Sequence, residues 1–402
     1  MTPPSMAPRV RQDRARANDD VILDAALATL AEDGWEESSV LRVAERAGLS
    51  RRPILNRYGD RAGLICAVWT ERLAPPLLQA LGAVMASRPP IGASTDPAPL
   101  SAALGSFLEP PPALRAAAEV LIVASYQPDL ARVVHDSMSM QLAAWMTPTR
   151  GGLSRADAAR NAALTALALG TLIEARTYPD GLDADLTPAI AEMTRALAQD
   201  AVPRRLPQDR ASFLLADAHL HPDPGMNAML TATLRLVGRD GYEAATIDRI
   251  AAECGRTSGF IFGHYRNKRE LYLDASARAL AAAEQDSEDF MVGLAQRHSR
   301  GIAYAVLTRE VMRPAMHPVR TNTLEQYRLA WHDADFLAAF TGAREQSLER
   351  STERESLHTP QQAQAESFTD LARGIGYGVL AQLHPQVCEL PHDVVTIPLI
   401  DG

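Results

Sequence analysis

The chain has 402 residues, long enough for two or more domains with separate cores, and 47% of them are apolar, as in an ordinary globular protein. A formal charge of −9 argues, taken alone, against a nucleic-acid partner, and no apolar run approaches the ~18 residues of a membrane span. Three cysteines, Cys66, Cys254 and Cys388, without any Cys-x-x-Cys, fit a reducing cytoplasm better than a disulfide scaffold.

Ala and Leu supply much of the apolar content, aromatics are 5%, and period-two runs are nearly absent, so the predicted fold class is all-α. Residues 1–17 have no apolar signal core and carry Arg9, Arg11, Arg14 and Arg16. They read as an Arg-rich flexible arm, either a solvated tail or one that reaches a minor groove. Residues 19–32 place Ile22, Leu23, Ala26, Leu27 and Leu30 at helical spacing, and Gly34 ends that helix. Ser39 is a fair N-cap for a helix over 40–47, with Val40, Val43, Ala44 and Ala47 inward. Gly48 breaks it, Ser50 caps a helix over 51–58, and Asp60 caps a longer fourth one. Helix, short glycine turn, helix is the arrangement in which the later helix enters a major groove. Domain boundaries follow as 18–73 for this reader and 74–200 for a helical region behind it.

Residues 201–225 form the candidate linker, with Pro203, Pro207, Pro222, Pro224 and Gly225. As a free coil it averages roughly 25–30 Å end to end. Phe213-Leu-Leu215 is a candidate docked turn. His219 and His221 supply half a metal site, but no clustered Cys, Asp or Glu completes it, so the reading is solvated linker and no metal.

Beyond the linker the chain repeats itself. Residues 22–64 align without a gap with 229–271 at an offset of 207, with 12 of 43 pairs identical, among them Gly34/Gly241, Arg42/Arg249, Gly48/Gly255 and Tyr58/Tyr265. The second copy keeps the grammar with Gly241, Thr246, Gly255, Thr257 and Asn267, and Glu270 completes a capping-box pattern with Asn267. Gly170 to Pro179 and Gly376 to Pro385 match at an offset of 206. A period near 200 residues is whole-domain duplication, so 226–284 is a second reader and 285–402 a second helical region. The readers are near neutral: 11 Arg against 11 Asp and Glu over 1–72, and seven Lys and Arg against six Asp and Glu over 225–275. The acidity lies elsewhere, and distribution outweighs the total.

The pattern Ala-Ala…Gly-Trp/Tyr…Ser/Thr…Val/Ile-Ala…Ala/Cys-Gly-x-Ser/Thr…Tyr-x-Asp/Asn-Arg/Lys-x-x-Leu resembles the DNA-binding domain of TetR/AcrR-type transcriptional regulators. The second copy, Gly255 to Leu271, is the closer match. In the first, Arg52 replaces a glycine and Pro53 a small polar residue, and Leu55 and Phe262 stand where that family usually places a tyrosine. The resemblance covers about 50 residues in each copy. It implies an all-α regulator, usually dimeric, whose C-terminal domain binds a small effector and loosens the grip on an operator.

By position the resemblance assigns phosphate contacts to Ser39, Arg42 and Arg61 and to Thr246, Arg249 and Lys268, since helix N-termini suit phosphates. Ser50, Arg51, Arg52, Asn56 and Arg57 face Thr257, Ser258, Gly259, Gly263 and His264 in the reading helices. Arg can take guanine and Asn adenine, whereas Ser and His discriminate less. Each Arg also reads as part of a solvated helix face. Tyr58 and Tyr265 are expected in the core with a polar tip. Tyr126, Met138 and Trp145, with Tyr304, Met312, Tyr327 and Trp331, are candidates for effector pockets, or else plain core. Gly374-Ile-Gly-Tyr-Gly378 follows no strand, so it reads as a glycine stripe for close approach of the helix near 154–178, not as a nucleotide loop.

The expectation is a cytoplasmic, sequence-specific DNA-binding regulator, a repressor answering to a small apolar effector and gripping an asymmetric operator as a single-chain pseudo-dimer. Further pairing of two chains stays open. Its rival is a duplicate in which one copy reads DNA and the other is scaffold or interaction module. No nucleophile–base or metal-ligand pattern suggests an enzyme, and no cofactor is expected.

Overall fold

The computed structural model describes residues 7–93, 95–210, 219–342, 345 and 359–401, with backbone alone for 7–17 and for residue 360. No strand occurs among them. In chain order the first half contains α1 (Ala7–Glu32), α2 (Val40–Ala47), α3 (Arg51–Tyr58), α4 (Arg61–Val68), α5 (Ala74–Ala86), α6 (Ala98–Leu108), α7 (Pro112–Val123), α8 (Pro128–Met146), α9 (Arg155–Glu174) and α10 (Thr187–Ala198). The second contains α11 (Pro224–Ala244), α12 (Ile247–Glu253), α13 (Ser258–Phe262), α14 (Lys268–Arg297), α15 (Arg300–Met312), α16 (His317–Ala330), α17 (Pro360–Leu383) and α18 (Asp393–Asp401). The expected helices 40–47 and 51–58 match α2 and α3. The first helix begins earlier than expected, so part of the predicted arm is helical, and the side chains of Arg9, Arg11, Arg14 and Arg16 lie outside the described residues.

By compactness the chain divides into residues 1–79 with 110–138, and residues 80–109 with 139–402. In the first unit, Ile22, Leu23, Ala26 and Leu30 on α1 are buried together with Val43 and Ala44 on α2 and Ile54 on α3. Burying each aliphatic side chain is worth about 1.5–3 kcal/mol, which is what holds such short helices together. Trp69 is wholly buried and donates its indole N–H to the Ser137 hydroxyl of α8 at 2.7 Å. The second reader has its own core in the second unit, where Leu230, Leu234 and Val237 pack with Ile250, Ile261, Leu271 and Tyr272.

The centre of the second unit is the pair α9 and α17. From Ala158 to Glu174 every residue of α9 is buried, the mark of a helix surrounded on all sides. The pair can come so close because of two glycines. A Cβ at Gly170 would lie 1.5 Å from the carbonyl oxygen of Ala372, and one at Gly376 would lie 1.7 Å from that of Ala166. At the offset of 206, Gly170 corresponds to Gly376 and Ala166 to Ala372. The contact is therefore reciprocal: each half sets its glycine against the other half's equivalent alanine, the self-complementary pattern of a two-fold interface. The expected three-glycine stripe reduces to Gly376. A Cβ at Gly374 would meet nothing within 4 Å, and one at Gly378 would meet the Arg320 side chain. Residues two apart on a helix point to nearly opposite sides, so 374, 376 and 378 cannot all face one neighbour.

The linker is not solvated throughout. Arg309 on α15 donates to the carbonyls of Pro207 at 2.7 Å and Asp209 at 2.9 Å. The Arg204 N–H donates to the Asp393 carboxylate at 2.6 Å, and Leu206 packs beside Leu294, Ala303 and Val306. Backbone carbonyls paired by an arginine lay the segment on α15, a pairing that proline-rich composition does not reveal. Phe213-Leu-Leu215 lies outside the described residues. Leu220 is buried, and the Asn227 amide oxygen accepts from the N–H groups of Leu220 and His221, so this stretch is a structured approach to α11. The last helix, α18, is short and contains Pro398.

Candidate nucleic-acid interface

Each reader is assembled by local hydrogen bonds. Ser39 accepts from the Arg42 N–H and Thr246 from the Arg249 N–H, so both second helices are capped alike. The tight turns that follow need a left-handed residue, supplied by Gly48 at φ 67° and Gly255 at φ 65°. Thr257 accepts from the Phe260 N–H, whereas Ser50 occupies the cap position of α3 without accepting a bond. Asp60 caps α4 through Gly63, and Asn267 caps α14 through Glu270. The predicted capping box at Asn267 is not formed. The Glu270 carboxylate reaches one residue further back, to the N–H of Arg266 at 2.9 Å, and holds the Arg266 guanidinium as well.

Behind the reading helices the two copies share a construction that the sequence did not announce. In the first, the Trp35 N–H donates to buried Glu119 of α7 at 3.3 Å, while the Arg61 guanidinium lies 4.3 Å over the Trp35 ring. In the second, the Tyr242 N–H donates to buried Glu325 of α16 at 3.2 Å, while the Lys268 ammonium lies 4.0 Å over the Tyr242 ring. Glu119 and Glu325 stand 206 apart, in register with the repeat. A carboxylate from the helical region thus fixes the backbone of the aromatic after the turn glycine, and the ring of that aromatic seats the first cation of the next helix. Only the 206 spacing of two glutamates could have signalled it, in a stretch with little other likeness.

The candidate contacts divide accordingly. Arg51, Arg52 and Asn56 are exposed on α3, and so is Arg57, which pairs with Asp19 at 2.6 Å. Arg42 and Arg249 are exposed but not isolated. Arg42 lies 3.4 Å from Asp33, and Arg249 pairs with Asp240 and donates to the Ala244 carbonyl at 2.7 Å. Asp33 and Asp240 are again repeat equivalents. Burial pushes the Asp240 carboxyl up, yet hydrogen bonds from Arg239 and Arg249 hold it below the usual carboxylate range. Lys268 is half-buried and donates to the Tyr242 carbonyl at 2.8 Å. Ser258 donates to the Asp248 carboxylate at 2.5 Å, Gly259 is exposed, and His264 is exposed with its ring 4.8 Å from that of Phe260. Tyr58 is half-buried, and burial raises its phenol. Tyr265 is buried and donates to Asp274 at 2.5 Å, and burial with that carboxylate pushes its phenol far up.

The candidate effector residues differ in burial and in partners. Met138, Met312 and Tyr327 are buried, while Tyr126, Trp145, Tyr304 and Trp331 are half-buried. Tyr327 donates to Glu174 of α9 at 2.6 Å, and the Arg176 guanidinium lies 3.7 Å over the Trp331 ring. Among the described residues the second unit has a small apolar cleft beside Leu273, Gln326 and Phe340, and one of about 220 Å³ beside Arg204, Arg205, Cys388 and His392. None of the seven residues lines either. No group of three or more His, Cys, Asp or Glu is placed to hold a metal among the described residues, and no described helix is long and apolar enough to cross a membrane.

Comparison with known proteins agrees with this geometry. The sequence pattern of the family described as bacterial regulatory proteins, tetR family, matches residues 22–68 and again 229–275. A search of curated proteins finds no significant match. The two matched segments coincide with the two helix-turn-helix units, so the chain carries two tandem copies of the tetR family's DNA-binding segment, which supports a DNA-binding transcriptional regulator.

Proposed function

We propose that the chain is a cytoplasmic, effector-responsive repressor that works as a single-chain pseudo-dimer on double-stranded DNA. The observation that carries this reading is the reciprocal seating of Gly170 on Ala372 and Gly376 on Ala166. Symmetric operators are read by pairs of identical protomers, and palindromy in the site mirrors the protein's two-fold. Here the pairing surface is within one chain and the reading helices differ, so the operator has two unlike half-sites. Response to a small apolar effector is supported by the Glu119 and Glu325 bonds, which tie α7 and α16 to the turns ahead of the readers. A shift of either helix moves the aromatic residue that seats Arg61 or Lys268.

The test is selection of binding sequences from random duplexes with the full chain, followed by footprinting and the mass of the complex. One chain on a site with two unlike half-sites about a helical turn or more apart is the expected result. A palindromic consensus bound by two chains counts against it. A second reading, in which only the first copy reads DNA, is favoured by the engagement of Ser258 with Asp248 and by the absence of a basic residue from α13. It predicts a footprint confined to one half-site.

A further inference from the structure

The two readers present different chemistry at the same place. On α3, Arg51, Arg52, Asn56 and Arg57 are exposed, a supply of donors and acceptors suited to the edges of guanine and adenine. On α13 that supply is small. The Ser258 hydroxyl is held by Asp248 at 2.5 Å, Gly259 and Gly263 have no side chain, and the His264 ring lies against Phe260. The Arg256 guanidinium, just ahead of the helix, lies 5.1 Å over the same Phe260 ring. What α13 does present is Phe262, 56% exposed. Its repeat equivalent, Leu55, is 45% exposed on α3.

A phenyl ring left in water on a short helix contributes nothing to the core, whose α13 member is fully buried Ile261. In a major groove the one apolar group on a base edge is the C5-methyl of thymine, and it is absent from the other three bases. We propose that Phe262 is a specificity residue that reads a thymine methyl in the half-site held by the second reader. The first half-site is then recognised chiefly by hydrogen bonds from Arg and Asn, and the second chiefly by apolar contact. This rests on the DNA-binding reading above and adds to it the chemistry that makes the half-sites unlike.

The test replaces each thymine of the second half-site, one at a time, by deoxyuridine, which keeps base pairing and removes only the methyl. Binding of the full chain to the selected duplex is measured by fluorescence anisotropy at fixed salt. At one or two positions the substitution is expected to weaken binding about three- to ten-fold, the size expected for losing one buried methyl. Phe262→Ala should weaken binding to the thymine duplex by a similar factor and be indifferent to deoxyuridine. Arg52→Ala should leave the deoxyuridine effect unchanged. Because Phe262 is more than half exposed, its variant should melt like the wild type. The proposal is overturned if no position responds to deoxyuridine, or if Phe262→Ala responds as strongly as the wild type. A chain that enriches no sequence at all overturns the DNA-binding reading along with it.

Discussion

At the scale of single residues, Lys268 has a defined seat within the second reader. Lys268 donates to the Tyr242 carbonyl and sits on the Tyr242 ring, yet stays half-exposed at the start of α14. Lys268→Ala is expected to weaken binding to every duplex alike and to reduce the slope of log K against log salt by roughly 0.9, the share of one phosphate. A salt titration on specific and random duplexes checks this, and an unchanged slope makes Lys268 a purely structural cation. Glu325 and Arg328 are both fully buried and paired at 2.8 Å. Removing one partner of a buried ion pair is strongly destabilising, so Glu325→Gln should cost about 3–5 kcal/mol. Adding Arg328→Met should recover part of that loss in urea melts, because the Arg328 charge then no longer has to be buried. If the double variant is no more stable than the single one, the loss comes from the Tyr242 bond and not from the ion pair.

At the scale of elements, the short helices of the readers were legible because capping and periodicity are local. Ser39, Thr246, Thr257, Asp60 and Asn267 all cap as their positions suggest, and Gly48 and Gly255 turn the chain where they should. The glycines of α17 were legible only in part. Their spacing shows that at most one side of the helix faces a given neighbour, but not which side, since that depends on a helix some 200 residues away. Substitution separates the cases. Gly376→Ala should force α9 and α17 apart and cost about 1–3 kcal/mol. Gly374→Ala, on the open side of the same helix, should stabilise by about 0.5–1 kcal/mol through helix propensity. Thermal melts of the two variants should move in opposite directions. Equal shifts would mean that the helices can separate freely.

At the scale of the molecule, stability against pH is set by groups the sequence does not mark. His392 is buried, and desolvation pushes its imidazole from 6.5 down to about 4, partly offset by its bond to the Val387 carbonyl. Its folded pKa is depressed, so protonation favours the unfolded chain. The contribution is fully present above about pH 6.5 and is lost as pH falls toward 4, amounting to about 3 kcal/mol. Asp240 and Asp333, held below the usual carboxylate range, lose their contributions only at still lower pH. Urea midpoints between pH 7 and 4.5 should therefore fall for the wild type and be markedly flatter for His392→Gln. Parallel curves would mean that water reaches the imidazole.

The sequence by itself determined the all-α class, the duplication, the two readers and their helix boundaries, because each depends on periodicity, caps and turn glycines within a few residues. Tertiary structure decided what those signals cannot carry. It chose Gly376 over its neighbours for the close approach and laid the linker on α15 through Arg309. It also set Asp33 and Asp240 beside the arginines expected at phosphates, and brought Glu119 and Glu325 to the turns ahead of the reading helices. In each of these a polar or small residue gains its role from a partner distant in sequence. Such pairing leaves no periodic trace, whereas a buried apolar face must repeat along its own helix to be buried at all.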